Sequence, residues 1–598
     1  MNHKFLRRVA IGATLLISAS CVDINEQLGQ NFIPNSQKWN VYSAKKDLKN
    51  IRLVQTDRLS AYNNYHITIG SIKDGEGNLL HSGSAFTLVP ADSSSLDFGT
   101  NPRVKQFHLT VLRDTTTAYN KSQEHIIQNI HVYPLKKALD SLCLYAGSFQ
   151  NNYVNKQEKG QEHSGLEEYV DKDKTITLGI PTYNGGDSLS FDFDLKWSED
   201  FVNEMINMTK EEKDSLELFT QKLHGIYVET EEQASEGGRM NLFNIDLQFN
   251  ENLYITGNYA ILKIRSDYGE RKDVDTSFVF VLGPVDFPKN MTIPAQFAYN
   301  AKFNSPSKET EKDELGLIPG QTMELKGGIG VKPVVQGKEI FEIVDNIIDE
   351  TLKEGGITDE NQINDAKKMV IINKASLVFP FKEDQDYIAL EKYPVILSPT
   401  IRKNSEDGQY TSYIGITDSS VESENKGDIN RSLNNYHPDI SYHVQSLYNK
   451  ALNAKLKGEE FKKYDEYNVW MLIMHKESKV LSQTRPNNTI NGIPYDAFYN
   501  SMMYDPYGYG GYGGYGGYGG YGYGGYSPYG YGYGNYYDYA MMQQMMSSQS
   551  NQPKIKSTKE LDKDRYYNFT LYGPEAQENK RPRIEITFSI PGNLSQER

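Results

Sequence analysis

Ile584-Glu-Ile-Thr-Phe-Ser-Ile590, close to the end of a 598-residue chain, alternates apolar and polar residues without a break. A period of two sends Ile584, Ile586, Phe588 and Ile590 to one face of an extended strand and Glu585, Thr587 and Ser589 to the other. Such a strand belongs in a sheet with one face on a core, so the C-terminal end is expected to be integral to the fold rather than a loose tail. The same period recurs upstream. Phe107, Leu109 and Val111 alternate with His108 and Thr110, and Ser190-Phe-Asp-Phe-Asp-Leu-Lys-Trp197 alternates strictly. Phe243, Ile245, Leu247 and Phe249 alternate with Asn244, Asp246 and Gln248. Asn129-Ile-His-Val-Tyr-Pro-Leu135 is a further β-rich run, and Phe278–Leu282, Val370–Phe379 and Asn468–Met474 read as buried strands. Turn residues such as Asp74-Gly75 and Glu76-Gly77 separate the strands. The pattern predicts a mainly β chain of tandem antiparallel β-sandwich domains, jelly-roll or immunoglobulin-like, with a few inserted helices.

The helical signals are fewer. Lys338 to Glu354 carries Ile340, Val344 and Ile347 on one face, and Gly355 ends it. Ser198 is placed to cap a helix bearing Phe201, Met205 and Ile206. Thr209 and Glu212 have capping-box spacing, with Leu216 and Phe219 following. Pro438, Ile440, Val444 and Leu447 suggest another helix with His443 on its apolar side. No second His or Cys stands at ligand spacing, so His443 reads as a core histidine rather than a metal ligand.

Length alone predicts three or four domains. The boundaries expected are a leader over 1–20, a tether over 21–45, a β-sandwich domain over 46–170, a β-rich domain with a helical insertion over 171–305, and a C-terminal β-rich domain over 306–598. That last domain carries a low-complexity insertion at about 504–546. Its core, 504–539, is mostly Tyr and Gly, with Asp505 and Asp538 its only charges. Glycine gives the backbone too many accessible states for regular packing, so a flexible loop is expected. Tyr512, Tyr515, Tyr518, Tyr521 and Tyr526 make it a possible binding loop, with aromatic faces for sugars, headgroups or an extended peptide. The plainer reading is a tolerated insertion at a strand connection.

Lys4, Arg7 and Arg8 precede an apolar run from Val9 to Ala19, too short for a bilayer of roughly 30 Å. Ser18, Ala19 and Ser20 lead into Cys21. This reads as a secretory signal ending in a lipobox, with Cys21 diacylated and N-terminal in the mature chain; Ser18 stands where most lipoboxes carry Leu. The alternative is an ordinary cleaved signal with an incidental cysteine. Removing the leader takes the formal charge from −15 to −18 through loss of Lys4, Arg7 and Arg8. That balance argues against nucleic acid, which needs clustered Lys and Arg. It equally disfavours adsorption to anionic lipid, so membrane attachment rests on the Cys21 acyl chains. Nothing after Ala19 is apolar for long enough to cross a membrane as a helix. Cys143 is then the sole other cysteine and cannot form an internal disulfide; within Leu142-Cys-Leu144 it reads as a buried thiol.

The chain contains no His-Glu-x-x-His, no Walker-type loop, no Gly-x-Ser-x-Gly elbow and no Cys pair for a metal. Gly508-x-Gly510-x-x-Gly513 matches the dinucleotide fingerprint but lies in the Tyr/Gly tract without a strand before it. Asp192 and Asp194, two apart on a strand, would share a face at about 6.5–7 Å, a usable spacing for glycoside hydrolysis. A solvated strand face accounts for them equally well. Asp74-x-Glu76-x-Asn78 opens like a calcium loop, but Leu79 stands where glycine is needed, so it reads as a turn. No catalytic, cofactor-binding or metal residue is therefore expected, and no cofactor.

Several phrases resemble a family of large Bacteroidota outer-membrane lipoproteins known only as a domain of unknown function. They are Cys21 followed by the acidic residues Asp23 and Glu26, Ile130-His-Val-Tyr-Pro-Leu135, Gly225-Ile-Tyr-Val228 and Ile372-Asn-Lys-Ala-Ser-Leu377. The resemblance covers most of the mature chain but not the Tyr/Gly tract. It implies a lipid-anchored outer-membrane protein of β-sandwich modules, often exposed at the cell surface, and no catalytic residues. The expected role is non-enzymatic: an accessory or scaffold subunit of an outer-membrane complex, with β-barrel proteins of the assembly or secretion machinery as partners. The alternatives are a glycan-binding surface lipoprotein and, third, a glycoside hydrolase using Asp192 or Asp194.

Overall fold

Alternation announces a strand but not its partner, and here the partners come from far along the chain. The computed structural model describes residues 39–55, 66–75, 77, 79–91, 96–139, 169–245, 248–249, 255–282, 300–306, 319–326, 331–382, 393–404, 411–416, 425–482, 554–562 and 565–592. The architecture is mainly β, and every strand pairing among the described residues is antiparallel, as the period-two runs imply.

The first lobe, residues 66–306, is built on the 19-residue strand Thr100–Ala118. This strand pairs with Ser188–Asp192, Gly237–Asn244 and Tyr259–Tyr268. Phe107, Leu109 and Val111 are buried on it, as their spacing predicts. Phe107 meets the rings of Phe193, Trp197, Phe201 and Phe280 at centroid distances of 4.9, 5.9, 5.3 and 5.4 Å. The division expected at residue 170 runs through this lobe. Gln128–Pro134, before it, pairs with Ile226–Thr230, after it, and both blocks feed one core.

The second lobe is discontinuous, joining residues 39–55 to 319–592. Trp39–Asp47 pairs along its whole length with Arg583–Pro591, from Trp39 opposite Pro591 to Asp47 opposite Arg583. On the other side of Arg583–Pro591 lies Ile371–Pro380, so the closing strand is interior to its sheet. A six-stranded sheet containing Val469–Ser482 turns Val469, Met471 and Ile473 into the same core as Ile584, Ile586 and Phe588. Helix Gly337–Glu354 begins one residue before the expected start and ends where expected, with Gly355 at its C-cap, and packs against helix Ser441–Leu456. Residues 39–45, expected in the tether, are thus an edge strand. Ser43, Lys45 and Lys46 are the polar residues such an edge requires, which is why they read as tether. Leu48 and Ile51 behind the strand are fully buried. Glu339 Oε1 accepts the backbone N–H groups of Lys49 and Asn50 at 2.6 and 2.9 Å, fixing this segment to the first turn of the helix. Burial pushes the Glu339 carboxyl above its usual range.

A buried charge cluster joins the lobes. Arg565 donates to Asp562 Oδ2 of the second lobe and to Asp114 Oδ2 of the first, both at 3.1 Å. Tyr567 donates to Asp562 at 2.6 Å, and the backbone N–H of Tyr566 donates to Thr117 Oγ1 at 3.1 Å. Ile72, Met240, Leu242 and Tyr566 form the apolar seam beside it. Lys332, buried within reach of the Asp562 field, is lowered by desolvation to about 8.

Candidate functional site

The run Ser190–Trp197 is not one strand. The strand ends at Asp192, and helix Leu195–Asn207 begins three residues later. Asp194 is its N-cap: the carboxylate accepts the Trp197 N–H at 3.0 Å. Ser198, expected as the cap, lies inside the first turn and donates its hydroxyl to Asp194 O at 2.7 Å. A capping carboxylate satisfies orphan helix N–H groups, and here that local gain ends the alternation. Asp192 and Asp194 therefore do not share a strand face. Asp192 Oδ1 accepts from His108 Nδ1 and Gln106 Nε2, each at 2.8 Å. One carboxylate caps a helix and the other is held by His108, so the shared strand face on which the glycosidase spacing rested is absent.

The helix register that follows from this cap builds a cleft. Trp197, Asp200, Phe201 and Glu204 fall at i, i+3, i+4 and i+7, one stripe of the helix surface. They form one wall of a cavity of about 230 Å³. Trp197 packs at a tilt against Phe193 and Phe201, with centroids 4.7 and 5.5 Å apart. The opposite wall is Lys222 to Ile226, where helix Leu216–Lys222 hands over to strand Ile226–Thr230. Gly225 makes that handover at φ +105°, with an added Cβ 2.4 Å from Phe86 O, so only glycine fits. Its carbonyl accepts the Leu135 N–H at 3.0 Å. Leu88, Pro134 and Leu135 close the floor. His224 Nδ1 donates to Thr220 O at 2.8 Å, and Asp200, Glu204 and Lys222 are the charged residues of the lining.

The volume decides what the cleft can hold. Pockets that enclose drug-sized ligands run to roughly 300–1,000 Å³; at about 230 Å³ this cleft has room for one ring-sized apolar group. The apolar floor supplies burial, and the charged rim supplies orientation. Trp197, Phe201 and His224 were not singled out by the sequence as neighbours. The available signal was the Asp194-x-x-Trp197 cap spacing, obscured by the alternation running through it.

Other sequence candidates fall as follows. His443 is buried in helix Ser441–Leu456 and donates Nε2 to Tyr467 O at 3.0 Å, with burial lowering its imidazole. Asp74 O accepts the Gly77 N–H at 3.0 Å, closing a turn; Glu76 and Asn78 lie outside the described residues. So do Cys21, Cys143, the glycines 508, 510 and 513, and Tyr512, Tyr515, Tyr518, Tyr521 and Tyr526. The chain matches no family model, no curated protein and no solved structure.

Proposed function

We propose that this protein is a non-enzymatic, lipid-anchored scaffold subunit of an outer-membrane protein complex, which grips a partner by one apolar side chain. The cleft between helix Leu195–Asn207 and the Lys222–Ile226 wall carries the reading, because it is one side chain in size, apolar within and charged at its rim. The lipobox-like Cys21 and the resemblance to large Bacteroidota lipoproteins support the anchor and the location at the cell surface. Antiparallel β lobes present loops and edges to neighbours, which suits protein partners.

The experiment is photo-crosslinking. A crosslinking amino acid at Asp200 or Glu204 in the full-length protein, followed by mild detergent extraction, should trap one envelope protein, with a β-barrel expected. Substitution of Glu204 by Lys should weaken the crosslink without altering the fold, since Glu204 lies on the rim. A protein that elutes alone and yields no adduct from either position would remove the reading.

A further inference from the structure

The face of the Trp39–Asp47 sheet that points away from the core grades from apolar to charged. Val41 and Ile371 both stand in register with Ser589, so the two side chains lie in one row on one face. Trp39 lies on the same face one row further along. All three are open to solvent, at 44% for Trp39, 62% for Val41 and 48% for Ile371. In the next row Ser43 and Thr587 pair their hydroxyls at 3.0 Å. Beyond them Lys45 and Arg583 both reach Glu585, at 3.3 and 2.8 Å. The opposite face carries Tyr42 stacked on Phe588 at 5.7 Å, within the core. The exposed apolar residues are therefore a feature of the outer face, not overflow from the core.

We propose that this apolar end rests on the surface of a phospholipid bilayer, with Trp39 in the headgroup layer. Two observations favour the bilayer: the place of the anchor, and an edge that opposes strand-to-strand pairing with a second copy. Trp39 follows Cys21 by eighteen positions, so an acylated Cys21 delivers this end of the strand, rather than the Lys45 end, to the membrane. Lys45 and Lys46 stand on the outer strand, a placement that opposes addition of another strand. Tryptophan and short aliphatic side chains suit the bilayer interface. The inference rests on the reading that Cys21 is acylated.

The test uses the full-length protein made with labelled palmitate and bound to vesicles of phosphatidylcholine brominated near the headgroup, a contact quencher of tryptophan. The chain has three tryptophans; Trp197 and Trp470 pack against protein. The expected result is loss of about a third of the emission in the parent, the share of one tryptophan in three. No loss is expected in Trp39→Phe, and little in Val41→Glu. Labelled, vesicle-bound protein with unquenched emission overturns the bilayer contact and leaves the anchor standing. A concentration-dependent change in Trp39 emission without vesicles assigns the face to a second copy and overturns the contact as well. Absence of both label and vesicle binding overturns the anchor and this inference together.

Discussion

Replacing Asp562 by Ala should cost more than any other single change at the junction of the lobes. Its carboxylate is almost wholly buried. It accepts from Arg565 Nη1 at 3.1 Å, from the Arg565 backbone N–H at 3.2 Å and from the Tyr567 hydroxyl at 2.6 Å. It also supplies the negative field that opposes the desolvation of Lys332. Alanine removes a carboxylate partner of Arg565, whose contact with Asp114 at 3.1 Å stays, removes the acceptor that Asp562 gives the Tyr567 hydroxyl and takes that countercharge from Lys332. Removing one member of a buried ion pair costs about 3–5 kcal/mol. Loss of Lys332's proton limits the damage, since desolvation already disfavours its charged form. The assay is urea denaturation of the full chain followed by tryptophan fluorescence, because Trp470 lies in the second lobe and Trp197 in the first. Destabilisation below about 1 kcal/mol would refute the view that this cluster holds the lobes together.

Lys332→Met should change how the stability of the protein depends on pH. The descent of Lys332 from 10.5 to about 8 corresponds to about 3 kcal/mol against its charged form. The folded value lies below the unfolded one, so between pH 8 and 10.5 the unfolded chain holds the extra proton. Stability from this group therefore rises with pH across that window, and the variant should lack that limb; equal slopes in parent and variant would contradict it. Phe107→Ala removes the ring that four aromatics surround and should cost about 3–5 kcal/mol, read as a lowered Tm. Asp194→Ala should cost about 1 kcal/mol through the lost N-cap. Asp194→Asn should retain most of that cap, whereas a catalytic role would leave stability untouched in both.

Elements set by local chemistry were legible in the sequence, and elements set by distant partners were not. The Thr209–Glu212 capping box is present with both of its hydrogen bonds, at 3.2 and 2.8 Å. Ser215 then splits the following turns into two short helices. The Ile584–Ile590 and Phe107–Val111 strands lie where alternation puts them. Alternation failed where a cap interrupts it after Asp192, and the strand that carries Phe243 ends at Asn244. Composition misplaced residues 39–45, because an edge strand and a tether draw on the same polar residues. The His108–Asp192 pair was out of reach, since it depends on a register between strands 84 positions apart. Arg239 shows the limit most plainly. Fully buried, it donates to Asn241 Oδ1, Glu124 O and Tyr183 O, and burial lowers it to about 10. Nothing local marks that arginine as internal.

The pairing of Trp39–Asp47 with Arg583–Pro591 dictates an order of assembly. Ser43 and Thr587 meet across 544 positions. Closing a loop of that length costs about 5–6 kcal/mol of chain entropy by the logarithmic rule. The first lobe, 66–306, is closed within itself, so its prior folding brings residues 55 and 319 towards each other and shortens the loop the second lobe must close. The N-terminal strand is then fixed last, when the closing strand enters between it and Ile371–Pro380. Truncation after residue 582 tests this order, since it removes the strand that joins the other two. Hydrogen exchange should then find Thr100–Ala118 and its partners still protected, and Ile371–Pro380 exposed. Loss of protection in both lobes alike would show that the first lobe does not stand on its own core, and the order of assembly argued from the loop would fall with it.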